Sequence, residues 1–211
     1  MSIVRKPFFT SAGLVTALVS KLGAFIALGI LVLSFQASAQ NTTPTETVET
    51  TVNAILEILR DDSLGTEEAR ELMRAEIGKA FDARAMSQSV LSTNWRSASK
   101  EQQEEFQALF MATLEDTYMG RIEAYTNEVV EFRDEEINNN RATVDTVILD
   151  GNTDIPINYK LRQRSDGWFV YDVEVENVSM VSSYRETYRS VVRRDGMDGL
   201  LAQMREKAAG N

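Results

Sequence analysis

Asp172, Glu174 and Glu176 are the residues of this 211-residue chain most suggestive of chemistry, because alternate positions of a strand point to one side. Carboxylates gathered that way could hold a hard cation or work as an acid and base pair. The competing reading is a solvated outer face opposite an apolar inner one. A second pattern is basic: Arg185, Arg189 and Arg193 recur every four residues with Arg194 beside them, which on a helix makes a ridge. Such a ridge could engage a phosphate headgroup or an acidic partner. It could equally be cations that favour a helix C-terminus. Cysteine and histidine are absent. That removes thiol nucleophiles, disulfides, imidazole bases and the common zinc sites. No phosphate loop, nucleophile elbow or dinucleotide fingerprint is present.

The elements that would position these residues begin after an export signal. Arg5, Lys6 and Lys21 precede an uncharged run of 14 residues from Leu22 to Phe35, and Ala37-Ser38-Ala39 offers a signal peptidase site before Gln40. A bilayer span needs about 20 apolar residues, so the run is short for an anchor. An uncleaved anchor is the alternative. The chain carries 22 Lys plus Arg against 32 Asp plus Glu, and residues 1–39 hold three of the cations and no anion. The remaining 172 residues therefore carry 19 positive and 32 negative charges, a net of −13. That balance disfavours nucleic acid as a partner.

Residues 40–211 read as one α+β domain. Thr43-Pro44-Thr45-Glu46 is a capping box that opens a helix bearing Val48, Val52, Ile55, Leu56 and Leu59. Asp61 to Gly65 breaks it. Ala69, Leu72, Met73 and Ile77 mark a second helix, and Asp82 can cap a third carrying Met86, Val90 and Leu91. Ser99-Lys100-Glu101-Gln102 opens the longest helix, whose buried side is expected to hold Phe106, Leu109, Phe110, Thr113 and Tyr118, with an interruption at Gly120.

From Val129 the period changes from 3.6 to 2, which predicts a four-stranded antiparallel meander beginning with Val129 to Arg133. Asn138-Asn139-Asn140, Asp150-Gly151-Asn152 and Asp166-Gly167 are its turns. Alternation predicts Ala142, Val144, Thr146 and Ile148, then Ile155, Ile157, Tyr159 and Leu161, then Phe169, Tyr171, Val173 and Val175 as one apolar face. Helices on either side in sequence must cover that face, giving helices packed on a single curved sheet. Helical spacing resumes at Val178 and is broken once, at Asp195-Gly196.

The stretch Phe81-Asp82-Ala83-Arg84-Ala85-Met86, with Val90-Leu91, Trp95-Arg96, Glu101-Gln102-Gln103, Phe106, Phe110 and Thr117-Tyr118, resembles the MlaC family of toluene-tolerance auxiliary proteins. Trp168 to Val173, Val178 to Val181, Tyr184-Arg185 and Asp198-Gly199-Leu200-Leu201 continue the resemblance in order across residues 45 to 207. Ser92 departs from it, since relatives commonly carry Gly after Val-Leu.

The resemblance implies a periplasmic phospholipid carrier that exchanges lipid between an outer-membrane lipoprotein–porin complex and an inner-membrane ABC transporter with an MCE-domain component, thereby maintaining outer-membrane lipid asymmetry. It also implies an apolar cavity for acyl chains and neither catalytic residues nor a cofactor or metal. The candidate lining is Val144, Ile148, Ile157, Tyr159, Leu161, Tyr171 and Val173 from the strands, with Met86, Val90, Phe110, Tyr184 and Tyr188 from the helices. Arg185, Arg189 and Arg193 are the candidates for headgroup contact or partner docking. Two other readings fit the residues: an exported carboxylate-dependent enzyme on a cone-like α+β fold, and a periplasmic chaperone or adaptor with a packed interior. The exported protein is expected to begin at Gln40, and its intact mass measures this directly. A product in the membrane fraction that keeps residues 1–39 would contradict it.

Overall fold

The computed structural model describes residues 42–125, 129–151 and 153–210, so the expected leader lies outside the described residues. The chain begins with α1 (Pro44–Leu59), α2 (Thr66–Ala80), α3 (Ala83–Leu91), the short α4 (Thr93–Ser97) and α5 (Lys100–Glu123). A meander of β1 (Val129–Asn138), β2 (Arg141–Asp150), β3 (Thr153–Arg164) and β4 (Gly167–Val175) follows. Next come a two-residue β5 (Val178–Ser179) and α6 (Met180–Ala209). Every strand pair is antiparallel in the order β1-β2-β3-β4-β5, so the sheet is the expected meander with one short strand added. The fold is α+β with a curved antiparallel sheet, as periodicity predicts.

Local chemistry sets the boundaries. Both capping boxes form, with Thr43 and Glu46 at the start of α1 and Ser99 and Gln102 at the start of α5. Asn139 turns β1 into β2 with φ 55°, a left-handed conformation that Asn tolerates. Gly120 does not interrupt α5, because a solvated helix interior tolerates glycine at a cost of about 1 kcal/mol. The break is in α6, at Gly196, whose φ of 72° and ψ of −177° are non-helical and accessible to glycine. Three residues on, a Cβ at Gly199 would stand 2.4 Å from the Asp195 Cβ, so the turn leaving the kink also requires glycine.

The inner sheet face is apolar, but alternation on β4 does not hold throughout. Leu161 pairs with Val170 while its neighbour Lys160 pairs with Asp172, leaving Tyr171 as an extra residue in a bulge. Trp168 and Val170 are therefore buried before the bulge and Val173 after it. Phe169 and Tyr171 do not belong to the expected face. This corrects the facing inferred from period 2, which a single inserted residue reverses.

Two apolar clusters result. In one, Val48 of α1 lies against Ala142, Val144, Leu161, Trp168, Val170 and Val173, so α1 covers the sheet. In the other, Met86, Val90, Leu91, Trp95, Phe106, Phe110, Leu114, Val181, Tyr188 and Leu200 join α3 through α6. Phe81 and Met180 pack against both.

Strand β4 fastens the second cluster to the sheet through two buried aspartates. The Asp82 amide donates to the Val170 carbonyl at 2.8 Å, and its carboxylate accepts from Ala85 N at 2.8 Å, capping α3. The second Asp82 oxygen has no hydrogen bond but lies 3.2 Å from Arg162 Nε and 3.5 Å from an Arg164 nitrogen, which balance its charge. On β4 itself, Asp172 accepts from Ser179 Oγ at 2.6 Å and from Val181 N at 3.0 Å, so it holds the first turn of α6. Replacing Asp172 by Ala is expected to cost about 2 kcal/mol, because a buried helix-start amide loses its acceptor. Asp172→Asn, which keeps one acceptor oxygen, should lose less; urea unfolding of the three proteins measures the order.

Candidate functional site

Asp172 and Glu174 are not available for the carboxylate chemistry that their spacing suggested. Asp172 is buried and accepts from Ser179 Oγ and Val181 N at the start of α6, and Glu174 is ion-paired with Lys160. Glu176 lies in the exposed turn after β4. Among the described residues no cluster of three or more acidic side chains is arranged to hold a metal ion. One carboxyl is shifted upward: burial raises the Asp145 carboxyl, helped by nearby Asp134, Glu136 and Glu174. It sits on the outer sheet face, away from both surface depressions described below. A raised folded pKa means that the folded state holds this proton more tightly, so Asp145 lowers stability at neutral pH and the penalty fades as pH falls.

The candidate lining residues divide between the two clusters. Val144, Leu161 and Val173 are buried on the sheet side, with Ile157 and Tyr159 half-buried against them. Ile148 is also buried, farther along β2. Met86, Val90, Phe110 and Tyr188 are buried in the helical cluster, with Tyr184 and Tyr171 half-buried against it. The Arg141 guanidinium lies 5.1 Å from the Tyr171 ring centre.

Aromatic packing organises the helical side. Phe106 and Phe110 stack at 5.7 Å, and Tyr188 meets both edge-on at 5.8 and 6.3 Å. Tyr184 meets Phe110 edge-on at 5.3 Å, and its hydroxyl reaches Thr117 Oγ1 at 3.4 Å. Burial pushes the Tyr188 and Tyr159 hydroxyls up to about 12. Both phenols therefore stay neutral at physiological pH, and an apolar ligand beside them would meet no phenolate.

The basic ridge lies elsewhere, along a groove where α3, α4 and α6 meet. A depression of about 390 Å³ is bounded by Val90, Leu91, Ser92 and Asn94 on one side and by Arg185, Arg189, Val192 and Arg193 of α6 on the other. A second, more open depression shares Ser92, Thr93 and Arg185 and adds Arg96. Of the candidate lining residues, Val90 alone borders either depression. Arg185 is half-buried and donates from Nε to the Ser89 carbonyl at 2.7 Å, tying α6 to α3, whereas Arg189 and Arg193 are exposed. Arg96 and the α3–α4 corner were not singled out as candidates for the site. Their signal is faint in sequence, since only the fold brings α4 beside α6.

Ser92 supplies that corner, with φ 53° and ψ −121°. This conformation is costly for a residue with a Cβ and open to glycine. The turn that glycine would form is thus retained with a serine in it.

The fold and its contents define a small α+β domain with an apolar sheet face, an aromatic helical cluster and a basic surface groove. The chain belongs to the MlaC protein family, whose model matches residues 49–206. It is 24% identical over 146 residues to the intermembrane phospholipid transport system binding protein MlaC of Haemophilus influenzae, covering 66% of this chain and 68% of that protein. A phospholipid-binding protein of Ralstonia solanacearum, solved in complex with a phospholipid, has the same fold, with a TM-score of 0.72 and 22% identity. That match covers 78% of this chain and 96% of the other.

Ser92→Gly is expected to raise stability by about 1 kcal/mol, the relief of backbone strain exceeding glycine's entropy cost. Thermal unfolding measures it, and a lower melting temperature for the variant would contradict the strain argument.

Proposed function

We propose that this chain is a periplasmic phospholipid carrier, released from its leader before Gln40, that shelters acyl chains inside the domain. The observation that carries the reading is the shared fold with a protein solved around a phospholipid, in a chain of the MlaC family. In this reading the carrier exchanges lipid with an outer-membrane lipoprotein–porin complex and an inner-membrane MCE-domain ABC transporter. It thereby helps keep the outer membrane asymmetric.

The energetics explain why a carrier without catalytic groups suffices. Exposing methylenes to water costs about 0.8 kcal/mol each, so two chains of some thirty methylenes together face a barrier on the order of 20 kcal/mol. An apolar interior replaces that exposure and lowers the barrier without any bond being made or broken. Acyl chains offer no hydrogen bonds, so such a lining selects length and bulk and accepts phospholipids broadly.

The division of the apolar interior into two clusters supports the same reading. A single close-packed core resists insertion, because separating its side chains forfeits their contacts throughout. Phe81 and Met180 pack against both clusters, and an acyl chain entering between the clusters would disrupt fewer contacts there than within either one. The proposed lining draws on both clusters: Val144, Ile157, Tyr159, Leu161 and Val173 from the sheet side, and Met86, Phe110, Tyr184 and Tyr188 from the helical side.

The enzyme reading loses its proposed acids to structural work, since Asp172 accepts from Ser179 and Val181 at the start of α6 and Glu174 pairs with Lys160. Mass spectrometry of an organic extract of the purified protein tests the carrier: phospholipid in near-stoichiometric amount is expected. Val173→Gln, which places a polar group on the inner sheet face, should lower the co-purified lipid several-fold while costing about 2 kcal/mol of stability. An extract without lipid, or a variant that retains its full lipid content, would count against the reading.

A further inference from the structure

Seven arginines among the described residues are ion-paired within the chain. Arg70 pairs with Glu123, Arg74 with Glu115, Arg133 with Glu131, Arg194 with Asp195 and Arg205 with Glu105. Along the groove between α3–α4 and α6 unpaired arginines gather instead. Arg96, Arg189 and Arg193 are exposed with no carboxylate partner among the described residues, and no acidic side chain borders either depression. In a chain with ten more acidic than basic residues, an unneutralised cluster of guanidiniums is complementary to an anion supplied from outside.

The spacing indicates which anion. Arg185, Arg189 and Arg193 stand four residues apart on α6, about 6 Å per step along a helix. A single phosphate is contacted by guanidiniums that converge on one point. A row is matched instead by charges that repeat, and alternate side chains of an extended peptide repeat at about 6.7 Å. Guanidinium forks also suit carboxylates, which they bind with two parallel N–H bonds. Arg185, half-buried and fixed to the Ser89 carbonyl, gives the row one rigid end. Val192 and the Val90–Leu91 segment supply an apolar floor beneath the guanidiniums.

We infer that the groove between α3–α4 and α6 is a docking site for an extended acidic segment of a protein partner, one that presents Asp or Glu at alternate positions to Arg185, Arg189 and Arg193. It deepens the carrier reading, on which it rests only in that a carrier needs a surface by which membrane-bound partners capture it. The groove shares Val90 and Leu91 with the helical cluster, but Arg189 and Arg193 are exposed and belong to neither apolar cluster, so docking and lipid retention are separable by mutation at those two positions.

The test uses the full mature chain and a fluorescent peptide in which Glu alternates with Ser. Binding is expected at low ionic strength, weakening as salt screens the contacts. The same peptide with Gln in place of Glu should not bind. Arg189→Glu with Arg193→Glu should weaken binding by about tenfold or more, and the neutral Arg189→Gln with Arg193→Gln pair should fall between. Circular dichroism checks that both variants fold, and the neutral pair serves if the charge-reversed one does not. Undiminished peptide binding in the variants would overturn the inference. So would displacement of the peptide by inorganic phosphate at matched ionic strength, which would make the groove a phosphate site. Co-purified lipid, measured on the same samples, should be unchanged in the variants. Absence of lipid from every sample would instead strike at the carrier reading and leave the groove standing.

Discussion

A buried carboxylate must be compensated, and in this domain two of them are compensated by the same strand and the helices beside it. Asp82 joins β4 through its amide and caps α3 with its side chain, while Asp172 sits within β4 and accepts from Ser179 and Val181 at the start of α6. Orphan amides at a helix start need acceptors, and a buried carboxylate needs donors; each satisfies the other only in one relative placement. Those two junctions fix where α3 and α6 leave the sheet. Their packing then determines where α5 can lie, and so the aromatic cluster of Phe106, Phe110, Tyr184 and Tyr188.

The bulge at Tyr171 belongs to the same junction. Without it, strict alternation would carry Val173 out of the sheet-side cluster that holds Val170. With it, apolar residues on both sides of the extra position stay buried, and Tyr171 turns toward the helical cluster. One inserted residue thus serves both clusters.

Charge is distributed as unevenly as apolar surface. The outer sheet face gathers Asp134, Glu136, Asp145 and Glu174, and burial with mutual repulsion raises the Asp145 carboxyl. The groove beside α6 gathers guanidiniums instead. A molecule so polarised turns in the field of a charged partner before contact, which favours encounter through the complementary face.

Much of this was legible in the chain because it depends on neighbours in sequence. The capping boxes at Thr43 and Ser99, the Asp82 cap, the turn at Asn138 to Asn140, the change of period near Val129 and the break at Gly196 are local, and the structure keeps each of them. The ordered resemblance also identified the family. Long-range placement decided the rest. Nothing in the alternation of β4 announces a bulge, because the extra residue is defined by its lack of a partner on β3. Asp172 reads as one of three solvated acids until Ser179 and Val181 fold back on it. Arg96 joins the α6 arginines only when α4 is brought beside them. Sequence fixes what each segment prefers within a few residues, whereas burial and charge balance are properties of segments brought together, and only the tertiary structure brings them together.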